Sequence, residues 1–476
     1  MKKKLLSVIT SCIFVLSSLA PAQFGATVNA EETTTAAKSP VSGYTLIESK
    51  YEKPGEDSIS VGVPGKYLAE QKKALDRINE IRKEACDKGY PDPRDRSRKL
   101  TSSDYGPIKW SSALEEYARV RACEAAIYTS HTRPGTNEAL VEGADDMNGY
   151  IAGTAEVLSW PGNSLLSGVN NWYTEKEEWV SGGNSVTGHY TSMINPRNTY
   201  VGLGGFKPDY KMGSDYDGSI CGRFSSAEWY SLPSDSGALK RLQDETMAPE
   251  MENIVQVINV KKEFVYNPDL CIIENDYSYI ANKGLYLGEK ATLGMVNKVK
   301  IENEISFVLS LDNYTYSSSN NKILKVEADG KAETKNTGKV TVKAVNEAGK
   351  EYKLNLSITA FLQKPKVKLT SPSKKKIKAK LTAQRRDVAN MNYFEVQTAT
   401  DKKFTKNVKT TKVKVKAMSW TNPNTTFSKT IKGFKSKKTY YVRVRSVYED
   451  NSYKNKDKSV IKVYSKWSST KKIKTK

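Results

Sequence analysis

The period of the apolar residues changes once along this chain, near Asp235, and that change limits the fold to helix-containing structure before it and sheet after it. Upstream, Leu68, Leu75, Ile78, Ile81 and Ala85 fall on one stripe of a 3.6-residue helix. Gly89-Tyr90-Pro91 should end that helix, since Gly and Pro both break it. Ser111 or Ser112 can cap a second helix carrying Leu114, Tyr117, Ala118, Arg121, Ala122 and Ala125. A third helical stretch covers about 165–180, and β-like runs lie at 200–206 and 219–224. Downstream, 254–260, 265–266, 305–311, 340–345 and 352–358 are short strand candidates, with turn signals such as Asp329-Gly330 and Ala348-Gly349 between several of them. From Lys364 the alternation is plainer, as in Tyr440, Val442 and Val444 with Arg443 and Arg445 interleaved. The expected fold is multi-domain: a mixed α/β domain followed by two all-β sandwiches.

A chain of 476 residues is too long for one ordinary domain. The first 30 residues read as an export signal: Lys2, Lys3 and Lys4, then an apolar run from Leu5 to Leu19, then Val28-Asn29-Ala30 as a small-residue cleavage site. The run is shorter than the roughly 20 residues of a membrane span, and no later stretch reaches that length. Residues 31–64, rich in Thr, Ala, Ser, Pro and Gly, read as a flexible linker. The domains then fall at 65–235, 250–360 and 361–476. A secreted, extracellular protein is expected, with no transmembrane span. Cys12 leaves with the signal, so Cys86, Cys123, Cys221 and Cys271 remain, and four cysteines allow two disulfides in three pairings. Cys86 ends the first helix and Cys123 lies in the second, which favours Cys86–Cys123 and leaves Cys221–Cys271. No CxxC or Cys/His cluster points to a thiolate zinc site.

Charge is confined to one end. Residues 361–476 hold 33 Lys or Arg against 6 Asp or Glu, a net of +27, so residues 1–360 carry −5 of the chain's +22. Only Arg385, Arg386, Arg443 and Arg445 of these cations are Arg; Lys is a hydrated point charge suited to diffuse polyanions. Outside a cell the partner of such a module is an anionic wall polymer or a headgroup surface, not nucleic acid. The competing reading is a solvated β-surface whose lysines protect its edges.

Chemistry concentrates between Ser130 and Gly204. The run from Pro107 to Ala122 resembles the second helix of the CAP family (cysteine-rich secretory, antigen 5 and pathogenesis-related 1 proteins; SCP-like). Four further pieces follow in that family's order. They are Ser130-His131-Thr132-Arg133-Pro134, Ala155-Glu156-Val157-Leu158, Trp172-Tyr173-Thr174-Glu175 and Gly188-His189-Tyr190-Thr191, the last leading to Asn195-Pro196 and Val201-Gly202-Leu203-Gly204. The resemblance covers about 66–226 and implies an α-β-α sandwich. It also implies a tetrad of His131, Glu156, Glu175 and His189 that can hold a divalent cation, zinc by its donor types, with the glutamates as ligands or behind the imidazoles. Where the family has Gly-Glu-Asn this chain has Ala155-Glu156-Val157, and the interval after His131 is long, so Glu142 is the nearest alternative carboxylate. Further on, Tyr316 to Asn320, Val326 to Gly330 and Gly338 to Val342 are similar to bacterial Ig-like repeats, and Phe394 to Gln397 with Tyr440 to Arg445 resembles fibronectin type III, making Tyr440 the corner tyrosine.

Three functions are compatible with these residues. The first is a binding module that takes a small ligand (lipid, sterol or glycan) or a host or other extracellular protein through a metal-capable cleft, with the sandwiches serving cell-surface or wall association. The second is a metal-assisted hydrolase on the same tetrad, with Glu175 as candidate base. The third is an adhesin in which the CAP-like part is a passive scaffold. Trp160, Trp172, Tyr173, Trp179 and Tyr190 can line a groove, although Trp172 and Trp179, seven apart, read more simply as the buried stripe of a helix.

Overall fold

The computed structural model describes residues 39–48, 55–136, 143–145, 150–160, 162–183, 185–209, 217–273, 284–415, 425–454 and 460–476. The signal expected at 1–30, part of the expected linker and Glu142 lie outside them. The protein is mostly β. Among the described residues no helix is long and apolar enough to cross a membrane.

The punctuation residues set the helix ends. The Gln71–Lys88 helix stops at Gly89, whose φ of 62° suits a residue without Cβ and whose N–H returns to the carbonyls of Ala85 and Cys86. Ser111 caps the Ser112–Ile127 helix, its hydroxyl accepting from Leu114 N–H at 3.3 Å. The third helical stretch is two helices, Leu165–Tyr173 and Lys176–Ser181, parted at Thr174 and Glu175.

Three antiparallel strands organise this part, in the order Tyr200–Pro208, Ser219–Ser225, Ala155–Ser159. Their residues alternate between two cores. Leu158, Phe206 and Cys221 pack with Ala118, Ala122 and Ile127 of the second helix. Val157, Leu203 and Ile220 pack with Ala74, Ile78, Leu165 and Val169 of the first and third helices. Gly202 and Gly204 explain the close fit on one side. A Cβ on either would come within 2.0 or 2.2 Å of the second helix's backbone nitrogens at Glu115 and Arg119.

The linker expected over 31–64 is shorter than its composition implied. Thr45–Ile47 and Ser58–Tyr67 are strands, and the second pairs along its length with Met251–Lys261. The reason is visible in Ile59, Val61 and Val63, an alternation set among Ser, Gly and Pro. Ser58–Tyr67 also pairs with Tyr200–Pro208 on one side and meets Glu304–Leu309 through Leu309 opposite Gly62. One sheet therefore runs from the helix-bearing part into the next module.

Beyond it, Leu270, Ile272, Leu293, Met295, Val342 and Leu356 fill a core between that sheet and a four-stranded one. The last module packs a three-stranded sheet (Lys366–Thr370, Lys376–Thr382, Thr426–Lys432) on a five-stranded one around Ile377, Leu381, Phe394, Val396, Val442 and Val444. Tyr440 opens the Thr439–Lys454 strand, and its hydroxyl accepts from Lys435 N–H at 2.9 Å.

The expected disulfides do not form. All four cysteines are buried free thiols. Cys86 lies in the core of the first helix, Cys123 and Cys221 in that of the second, and Cys271 in a third with Val255 and Leu309. The pairing assumed that the first two helices stack on each other, whereas they pack into different cores on the strands. Burial also pushes the thiols of Cys123 and Cys221 upward, which keeps them neutral.

Candidate functional site

His131 follows the second helix by a short turn, and His189 opens the Gly188–Ile194 helix. The fold brings their rings to 6.4 Å between centroids, stacked at 21°. Each imidazole is held from behind by one carboxylate. His131 Nδ1 lies 2.9 Å from Glu156 Oε1, and His189 Nδ1 lies 2.5 Å from Glu175 Oε1. A carboxylate at Nδ1 accepts its proton in the neutral ring, so the lone pair resides on Nε2. All four residues singled out in the sequence thus converge, with the glutamates placed to orient the rings.

The two carboxylates are fixed differently. Glu175 closes the start of the Gly188–Ile194 helix, its Oε2 accepting from the N–H groups of His189 and Tyr190 at 3.0 Å each. Both oxygens are engaged, which leaves Glu175 poorly placed as a general base. The Glu156 side chain is 1% exposed and sits among guanidinium groups. Its Oε2 accepts from Arg121 Nε and Arg223 Nη1 at 2.9 Å each, and its Oε1 from Arg121 Nη2 at 3.1 Å. Burial alone would raise this carboxyl, but the His131 hydrogen bond and the two arginines hold it down to about 2. Arg121 also bonds Glu124, which takes two bonds from Arg133. Arg121 and Arg133 were legible only as polar neighbours of the motifs, since nothing in sequence spacing marks a buried ion network.

The loop bearing His131 is tied to the next module. Thr129 donates its N–H and its hydroxyl to Glu304 Oε2 at 3.0 and 3.2 Å, Ser306 donates to Ile127 O at 2.8 Å, and Lys261 N–H donates to Pro134 O at 2.9 Å. His131 is nevertheless 48% exposed, open to a ligand.

A cation here would find two imidazole nitrogens. Among the described residues no three His, Cys, Asp or Glu converge as a cage. The donors therefore fit an open site completed by water or ligand, short of the three protein ligands of a catalytic zinc. Of the aromatic candidates, Trp172, Trp179 and Tyr190 are buried in the core. Trp172 Nε1 donates to Leu158 O and Trp179 Nε1 to Pro91 O. A separate cavity of about 490 Å³, lined by Ile47, Tyr67, Glu115, Arg119, Met251 and Gln256 among others, has the volume of a ligand pocket. Its walls come from segments far apart in the chain, so no motif announces it.

No curated protein matches this chain. Among solved structures it is similar to an intimin mutant of EHEC O157:H7, at 17% identity over 23% of this chain and 51% of that one, with a TM-score of 0.14. The chain thus spans about half the length of that structure. It is also similar to chicken CNTN1 domains FN1–FN3, at 12% identity over 59% of this chain and 96% of that one, with a TM-score of 0.20. Domains 4 and 5 of the S-layer protein SbsC match at 17% identity over 42% of this chain and 98% of that one, with a TM-score of 0.17. These scores are too low to define a shared fold. Residues 75–207 match the CAP domain of the cysteine-rich secretory protein family, and that match encloses all four residues of the cleft.

Proposed function

We propose that the protein is an exported CAP-type binding module, an α-β-α sandwich, whose cleft presents Nε2 of His131 and His189 to a divalent cation, zinc by donor chemistry. The cation would supply Lewis acidity toward a small ligand or an extracellular partner. The two downstream sandwiches, read as Ig-like and fibronectin type III-like, hold the cleft away from a cell surface, with the basic module on an anionic wall polymer. The hydrogen bond of Tyr440 back to Lys435 supports the fibronectin-like reading of that module. The observation that carries the cleft reading is the pair of carboxylate-braced imidazoles facing each other at 6.4 Å. Bracing of this kind orients a metal-ligating imidazole and fixes its tautomer. Binding is favoured over hydrolysis because both oxygens of Glu175 are committed to the imidazole and two backbone amides.

Calorimetric titration of zinc into the signal-free chain tests this reading. One ion per chain is expected at about pH 7.5, weakening sharply at about pH 5.5 because protons compete for the same lone pairs. His131→Ala/His189→Ala should abolish it. Unchanged zinc affinity in the double variant would return the tetrad to a hydrogen-bonded structural cluster.

A further inference from the structure

The acidic side chains of the last module's strands all belong to one of its two sheets. On the five-stranded sheet some of the cations meet carboxylates: Arg445 pairs with Glu395 at 2.7 Å, and Lys462 and Lys412 approach Glu449 at 3.0 and 3.6 Å. Its other guanidinium, Arg443, lies between the rings of Phe404 and Trp467 at 4.2 and 4.4 Å.

The three-stranded sheet is different. Its inner face carries Val367, Ile377, Ala379, Leu381 and Ile431, all buried, with Lys429 exposed on the edge strand opposite Ala379. Its outer face reads Lys366 opposite Thr382, Lys368 opposite Lys380, Thr370 opposite Lys378, and Lys376 opposite Lys432, with Thr426, Ser428 and Thr430 completing it. Six lysines share this face, and every other position across these pairings is Thr or Ser. Lys368 and Lys380 are direct cross-strand neighbours, as are Lys376 and Lys432. Like charges so placed destabilise a sheet.

Edge protection does not account for this arrangement. Lysines that guard a sheet against aggregation belong on edge strands, yet Lys376, Lys378 and Lys380 lie on the central strand of the three. Their spacing along that strand is about 6.8 Å, and their cross-strand neighbours lie about 5 Å away. The face is a grid of point charges, interleaved with hydroxyls that can donate to anionic oxygens.

We propose that this face binds a linear polyphosphodiester that carries no bases, the phosphates lying along the lysine rows. The inference rests on the wall-association reading and assigns it to one sheet face. Two features select the occupant. No apolar side chain stands on the face to enter a bilayer, and no aromatic ring stands on it to stack a base. Lysine and hydroxyl groups, by contrast, suit phosphate oxygens on a flexible chain.

The test uses the signal-free chain and immobilised poly(glycerol phosphate). Lys368→Gln/Lys378→Gln/Lys380→Gln is compared with a control losing the same charge from exposed positions of the same module, Lys402→Gln/Lys403→Gln/Lys406→Gln. The face variant should bind about tenfold or more weakly, with a log–log salt slope shallower by about 2. The control should change by less than about twofold. Thermal unfolding guards against a folding artefact: the face variant, relieved of a like-charge pair, should melt no lower than wild type. Equal losses in the two variants would overturn the assignment to this face while leaving wall association standing. Absence of wild-type binding to the polymer and to whole wall fragments would overturn both. Tighter binding to phosphatidylglycerol vesicles, to single-stranded DNA or to a polycarboxylate of equal charge would overturn the occupant.

Discussion

Replacing Glu156 by Gln keeps the shape of the side chain and removes one charge from a site where Arg121 and Arg223 both donate to it. Both guanidinium groups are as buried as the carboxylate, so water does not screen the loss. A carboxyl held at about 2 rather than 4.5 contributes about 3 kcal/mol to folding at neutral pH. The sign follows from the depressed value. The contribution is fully present above the unfolded value and is lost as pH falls through the folded one, so it should shrink to less than half by about pH 3. Urea unfolding followed by Trp fluorescence at about pH 7, 5 and 3 measures it, since Trp110 and Trp172 are buried in the same module. The variant should be less stable by about 3 kcal/mol at about pH 7 and by less than half of that at about pH 3. A difference that does not change with pH, or none at about pH 7, would refute the argument that His131 and the two arginines stabilise an ionised Glu156.

Glu304→Ala removes the acceptor for Thr129 on the loop bearing His131; zinc affinity should fall about tenfold, and an unchanged affinity would show that the sandwich does not position the loop. Tyr440→Phe leaves Lys435 N–H without its phenol partner and should cost about 1 kcal/mol in urea unfolding of the full chain; no measurable change would count against the corner. Thiol titration of the unreduced, signal-free chain should find Cys86, Cys123, Cys221 and Cys271 all free after denaturation and unreactive before it. Fewer than four thiols after denaturation would restore a disulfide.

What the sequence determined is what local physics determines. The 3.6-residue stripe from Leu75 to Ala85, the glycine at 89 and the serine at 111 place helices and their ends without reference to anything distant, and the structure follows them, although Leu68, read into the same stripe, precedes the helix that starts at Gln71. The motif pieces around His131, Glu156, Glu175 and His189 likewise carried the cleft, because each piece is short and contiguous. Tertiary structure decided what depends on meeting partners. The alternation in Ile59, Val61 and Val63 became a strand only through its pairing with Met251–Lys261, far along the chain. Cys86 and Cys123 were kept apart because the first two helices pack into separate cores, a fact no spacing encodes. The ionised, buried Glu156 owes its state to His131, Arg121 and Arg223, which approach it from a loop, a helix and a neighbouring strand. The lysine face shows the same division. Composition located the positive charge in residues 361–476, but only strand order showed that half of the face's lysines stand on a central strand. Periodicity is a property of one segment, whereas a charge's environment is set by every segment that folds against it.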